Sequence, residues 1–120
     1  MLRNALYLLS RAIGATLRRV GLWGATSFHH LTLGAVGTGT RFQAGVRLHP
    51  AQQVNIGTDC YVWRGVSASS ESSAGYLHIG DRVQINRDVH LDMTGGLTIG
   101  DDVMLSESAV VYTHDHGLDP

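Results

Sequence analysis

The residues best equipped for chemistry in this chain are its histidines, of which there are seven. An unperturbed imidazole titrates near pH 6.5, so it can take a proton from a hydroxyl or bind a metal as a neutral ligand. His114 and His116 stand two residues apart in the run Val110-Val111-Tyr112-Thr113-His114-Asp115-His116. His78 and His90 lie upstream, with Asn86 and Asp92 beside them as further polar groups. Three imidazoles can hold zinc with an open fourth position, and His78, His114 and His116 form the candidate set. The single cysteine, Cys60, has no intramolecular partner for a disulfide, so nothing points to an oxidising compartment and the cytoplasm is the default.

The elements that must position these groups are written in a six-residue period. Val36, Phe42, Leu48 and Val54 are spaced by six, as are Ile56 and Val62. Ile79, Ile85 and Leu91 repeat the spacing, and so do Ile99, Leu105 and Val111. A second apolar register stands two residues before such positions, at Val46, Val54, Cys60, Leu77, Val83, Val89, Leu97, Val103 and Ala109. Two inward side chains flanking one outward residue describe a very short strand. Turns such as Gly57-Thr58-Asp59, Gly80-Asp81-Arg82 and Gly100-Asp101-Asp102 follow, with glycine expected to supply positive φ at the corner. Neither a helix nor a long hairpin strand uses a strict period of six. Three short strands and three corners per coil do, which is a parallel β-helix. In that reading His78 and His90 point outward and Cys60 fills the core. Residues 67–76, with five serines, read as a loop leaving one corner, and 93–97 as a two-residue insertion.

The first thirty residues differ. Leu2, Leu6, Leu9, Ile13, Leu17 and Val20 fall on one stripe of a helix, with Arg11, Arg18 and Arg19 off it and Arg3 at its flank. Residues 1–58 hold six arginines and no acid, whereas all ten carboxylates follow. This basic amphipathic helix has two readings: it packs on the scaffold and caps the first coil, or it lies on an anionic membrane surface through residues 1–20. Arg11 interrupts the apolar run too early for a secretory signal, and no stretch approaches the roughly 20 apolar residues of a membrane span. Four arginines without interleaved aromatic or base-reading groups argue against nucleic acid. With 120 residues, 43% hydrophobic and 16% charged, the chain divides into a helix and connector at 1–30 and one globular repeat domain at 31–120.

The phrases Ile79-Gly80-Asp81-Arg82-Val83 and Ile99-Gly100-Asp101-Asp102-Val103 resemble the hexapeptide-repeat acyltransferases. So does the run from Val110 to Asp119, and the nearest subgroup is the galactoside, maltose, nodulation-type and exopolysaccharide O-acetyltransferases. The resemblance covers residues 36–120 and implies a left-handed β-helix, a homotrimer, and acetyl-CoA as co-substrate with no permanently bound cofactor. It implies direct acetyl transfer to a sugar hydroxyl, with a histidine removing the hydroxyl proton. Matching Tyr112-Thr113-x-x-His116-x-Leu118-Asp119 to the family pattern assigns the base to His116 and makes His114 a neighbour that shapes the site. The same match gives Asn86 and Asp92 to the acceptor sugar and no residue to a metal.

Family members continue for several coils past this point, so the resemblance implies an incomplete β-helix. Most coenzyme A contacts are then expected beyond Pro120, and the 120-residue chain alone is expected to be inactive and poorly soluble. Two other readings compete: a non-catalytic β-helix scaffold, and a zinc-dependent β-helix carbonic anhydrase. The implied workplace is cytoplasmic, on the inner face of the membrane if the helix binds there.

Overall fold

The computed structural model describes residues 1–116. The motif positions Leu118 and Asp119 lie outside them. A single helix, α1 (Leu2–Thr32), leads into twelve strands of two or three residues each. They are β1 (Ala35–Val36), β2 (Arg41–Phe42), β3 (Arg47–Leu48), β4 (Val54–Ile56), β5 (Tyr61–Val62) and β6 (Ser67–Ser69). The series continues with β7 (Leu77–Ile79), β8 (Gln84–Ile85), β9 (His90–Asp92), β10 (Leu97–Ile99), β11 (Met104–Leu105) and β12 (Val110–Val111). Every third strand pairs in parallel, giving three four-stranded sheets: β1-β4-β7-β10, β2-β5-β8-β11 and β3-β6-β9-β12. This is a left-handed parallel β-helix of about four turns with an N-terminal helix: the coils follow the period of six, the helix its apolar stripe, and the hand agrees with what the resemblance implied.

The register corrects the reading of the repeat. Ala35 pairs with Asn55, Val54 with Leu77 and Leu77 with Leu97, so successive coils advance by 20, 23 and 20 residues. Steps within a coil are six residues except at one corner, between the third sheet and the first. There the equivalent inward positions are Leu48 and Ile56, then Ala68 and Ile79, then Leu91 and Ile99. The six-residue step from Leu48 to Val54 was therefore a coincidence that hid an insertion, and Val54 is the first inward residue of β4. The serine-rich loop is also narrower than 67–76, because Ser67–Ser69 is strand β6, paired with β3 and β9. All the extra residues stack at one corner.

Side chains of the two apolar registers fill the prism. Phe42, Val54, Val62, Val66, Leu77, Val83, Ile85, Val89 and Leu91 are buried, and so is Met93 from the insertion. Burying a side chain of this size contributes about 1.5–3 kcal/mol. Cys60 is core, as its position predicted, with Sγ 3.1 Å from the Gly80 carbonyl oxygen. Toward the last coil Leu97, Val103, Leu105, Ala109 and Val111 are only partly buried.

Gly39, Gly45, Gly65 and Gly96 supply positive φ as expected, but the glycines of the quoted turns work differently. In the turns at Gly57 and Gly80, the positive φ belongs to Asp59 and Arg82, both at 55°. A Cβ on Gly57 would instead strike the Asp81 carboxylate and the backbone of Gly80 in the next coil. Asp81 Oδ1 needs that space to accept the Thr58 N–H at 2.8 Å. Close approach, not backbone conformation, requires glycine there.

The helix runs through the segment expected to be a connector, and only its last turns dock. Thr26 Oγ1 accepts the Phe42 N–H at 2.9 Å, and the His30 imidazole Nε2 lies 2.8 Å from the Thr40 carbonyl oxygen. The His29 ring packs 4.6 Å from the Phe42 ring, and burial lowers the His29 pKa. These contacts supply β2 with partners that a preceding coil would otherwise give. The stripe from Leu2 to Val20 makes no such contact and stands exposed.

Candidate functional site

The corner that carries the insertions gathers Glu71, Asp92, Thr94, Thr113, His114 and His116. They come from three successive levels of the stack. Glu71 stands in the loop after β6, Asp92 ends β9, and His114 and His116 follow β12. Because the coils are in register, three segments distant in sequence meet without any long-range search.

Asp92 is the organising group. Its side chain is buried, and Oδ1 accepts the Thr94 N–H at 3.0 Å. Oδ2 accepts the Thr113 N–H at 3.0 Å and lies 2.6 Å from His114 Nδ1. The Thr113 hydroxyl donates to the Asp92 carbonyl at 2.9 Å and accepts the Gly95 N–H at 2.8 Å. Gly95 allows this approach, since a Cβ there would collide with the Thr113 carbonyl. Burial alone would raise the Asp92 pKa. The hydrogen bonds from Thr94, His114 and Thr113 outweigh it and hold the carboxyl well below the usual carboxylate range.

His114 is held from both sides. Nδ1 meets Asp92, and Nε2 lies 3.1 Å from Glu71 Oε2. The hydrogen bond to Asp92, opposed by desolvation and helped by the charges of Asp92 and Glu71, raises its pKa. His116 sits outside this frame, with Nε2 3.4 Å from the same Glu71 oxygen and a side chain 82% exposed. The two imidazoles meet edge to face at 5.1 Å. The arrangement therefore offers one imidazole held at both nitrogens and one that is open to an incoming hydroxyl.

Glu71, His114 and His116 are also the one group of three potential metal ligands among the described residues. Their Glu71–His114 and Glu71–His116 separations, 3.1 and 3.4 Å, bracket the edge of about 3.3 Å of a tetrahedron with zinc–nitrogen bonds of 2.0–2.1 Å. Asp92 on Nδ1 is the outer carboxylate that orients such a ligand. His78 is not in this group. It lies on β7 with its ring 4.6 Å from that of Tyr76.

Of the positions singled out from sequence, Asp92, His114 and His116 come together, and Asn86 does not join them. Asn86 follows β8 at another corner, where Nδ2 donates to the Leu105 carbonyl at 2.8 Å and Oδ1 accepts from Gln84 Nε2 at 3.2 Å. It lines a cleft of about 280 Å³ with Trp63, Arg87, Ser106 and Glu107. His90 faces outward, its Nδ1 2.8 Å from the Ser67 hydroxyl. Sequence reasoning missed Glu71, Thr94 and Thr113. The one signal for Glu71 was its place as the only charged residue in the serine-rich stretch. A further groove of about 800 Å³, lined by Arg18, Arg19, Tyr61, Trp63, Arg64 and Arg87 among others, separates α1 from the second sheet.

Comparison of the chain with protein-family models, curated proteins and solved structures finds no match. The stacked corner and its chemistry therefore carry the functional reading.

Proposed function

We propose that this protein is an O-acetyltransferase that moves an acetyl group from acetyl-CoA to a sugar hydroxyl, in surface or exopolysaccharide synthesis. The observation that supports it most is the geometry of the histidine corner. A buried carboxylate holds His114 through Nδ1 and raises its pKa, and His116 stands beside it with an exposed side chain. His116, the position that the motif resemblance also favours, acts as the base. Its Nε2 removes the acceptor proton as the acceptor oxygen forms a bond to the thioester carbonyl carbon. The tetrahedral intermediate collapses, the carbon–sulfur bond breaks, and the thiolate of coenzyme A recovers the proton from the imidazolium. Holding both substrates at one corner supplies much of the remaining rate.

Asp92 then positions His114 instead of holding a sugar hydroxyl, since its carboxylate is buried and already bonded. Asn86 keeps a role in acceptor binding if a neighbouring subunit of a homotrimer brings its Asn86 corner to this one. Acetyl-CoA enters as co-substrate, and the work is done in the cytoplasm. A zinc-dependent hydratase is the second reading, favoured by the Glu71, His114 and His116 donor group.

The test uses the product of the complete reading frame. Incubation with acetyl-CoA and a panel of oligosaccharides should give acetylated sugar by mass spectrometry, together with free coenzyme A thiol. Zinc at one equivalent with bicarbonate formation from carbon dioxide would replace this reading by the hydratase. Neither activity would leave a scaffold.

A further inference from the structure

The apolar stripe of α1 is on the wrong side of the helix to serve the fold. Leu2, Leu6, Leu9, Ile13, Leu17 and Val20 are each between 52% and 73% exposed. Leu31 continues the stripe at the far end and is 85% exposed, although the helix is already docked there. At 3.6 residues per turn, the docked residues Ala25, Thr26 and His29 lie roughly 180° around the helix from the stripe. The coil stack therefore occupies one side of α1 and leaves the apolar side open to a flat surface.

Charge decides what that surface is. The helix carries Arg3, Arg11, Arg18 and Arg19, and no acidic residue precedes Asp59. Arg18 and Arg19 line the groove on the scaffold side. A helix is about 10–12 Å across, so at low ionic strength, where the screening length is about 30 Å, their charge still reaches a surface at the stripe. Trp23 at the stripe's margin is 73% exposed, and indole is a side chain suited to a headgroup boundary. Pairing this stripe with that of a second copy would bring two all-cationic helices together with no acid to match them. Among the described residues no helix is long and apolar enough to cross a membrane.

From these observations we infer that α1 is an interfacial anchor, which lays its apolar stripe into a bilayer surface containing anionic lipids and holds the β-helix above it. Binding combines apolar burial with electrostatic attraction, and the second part is salt-sensitive. The histidine corner could have any function and this would still hold.

The test is flotation of the full chain with vesicles of phosphatidylcholine alone or of phosphatidylcholine and phosphatidylglycerol in equal amounts. About tenfold more protein should float with the anionic vesicles, and high salt should reduce it. The triple variant Leu6→Glu, Leu9→Glu, Ile13→Glu should stay in the bottom fraction while its circular dichroism shows an intact scaffold, because these side chains are exposed and touch nothing in the core. Absence of flotation, equal flotation with both vesicles, or unchanged flotation of the triple variant would each overturn the inference. So would an oligomer that the triple substitution dissociates in a protein that does not float, since the stripe would then belong to a neighbouring copy.

Discussion

At the scale of single residues, Asp92 makes a set of histidines into a site. Its carboxylate fixes the backbone at Thr113 and His114 and the imidazole of His114 together. Asp92→Ala would leave those N–H groups without their acceptor, at about 1–3 kcal/mol for each one left buried, and urea unfolding should register the loss. The pairing also sets a pH dependence. The raised pKa of His114 contributes stability that is fully present below its ordinary value of 6.5 and is lost as pH rises through the folded value. The lowered pKa of Asp92 contributes stability above its ordinary value of 3.8 that is lost as pH falls through the folded value. The melting-temperature difference between the wild type and His114→Ala should therefore be largest at mildly acidic pH and shrink toward alkaline pH. A difference independent of pH would separate His114 from Asp92.

At the scale of elements, the period of six sufficed to read most of the strands, because inward positions of a short β-helix strand are apolar with few exceptions such as the buried Thr40. Cys60 in the core and His78 and His90 outside it followed from register alone. What periodicity could not reveal was the corner. The Leu48-to-Val54 step preserved the period across an insertion, and Ser67–Ser69 paired as a strand despite its polar composition, since Ala68 alone faces inward. Glu71 was missed because nothing local in a serine-rich loop says which histidine it will meet two coils later. The helix was legible as amphipathic, but not which of its faces would dock. Docking rests on Thr26 and His29, outside the stripe. Thr26→Val should destabilise the protein by about 1–3 kcal/mol, by orphaning the Phe42 N–H. Phe42→Ala should cost about 3–5 kcal/mol. Substitutions at Leu6 or Ile13 should stay within about 0.5 kcal/mol of the wild type. Denaturant midpoints at constant m-value check all three.

At the scale of the whole molecule, the two corners assigned to one reaction are separated within a chain. The Asn86 cleft lies at one end of the third sheet and the His116 corner at the other. A trimer in which one subunit's Asn86 faces a neighbour's His116 reconciles them, and it makes a sharp prediction. His116→Ala and Asn86→Ala proteins should each be inactive alone, yet a co-expressed mixture should regain activity, because some interfaces contain neither substitution. No recovery in verified mixed oligomers would place both residues in one subunit's site or remove Asn86 from it. Six-residue periodicity made the solenoid readable at this scale too, whereas assembly leaves no trace in periodicity.

The central claim, that His116 takes the acceptor proton while Asp92 holds His114 as its neighbour, is tested most directly by one kinetic comparison. In the product of the complete reading frame, kcat/KM for acetyl transfer should fall about 10²–10⁴-fold in His116→Ala and distinctly less in His114→Ala. Full activity in His116→Ala with loss in His114→Ala would contradict the account and move the base to the imidazole that Asp92 holds.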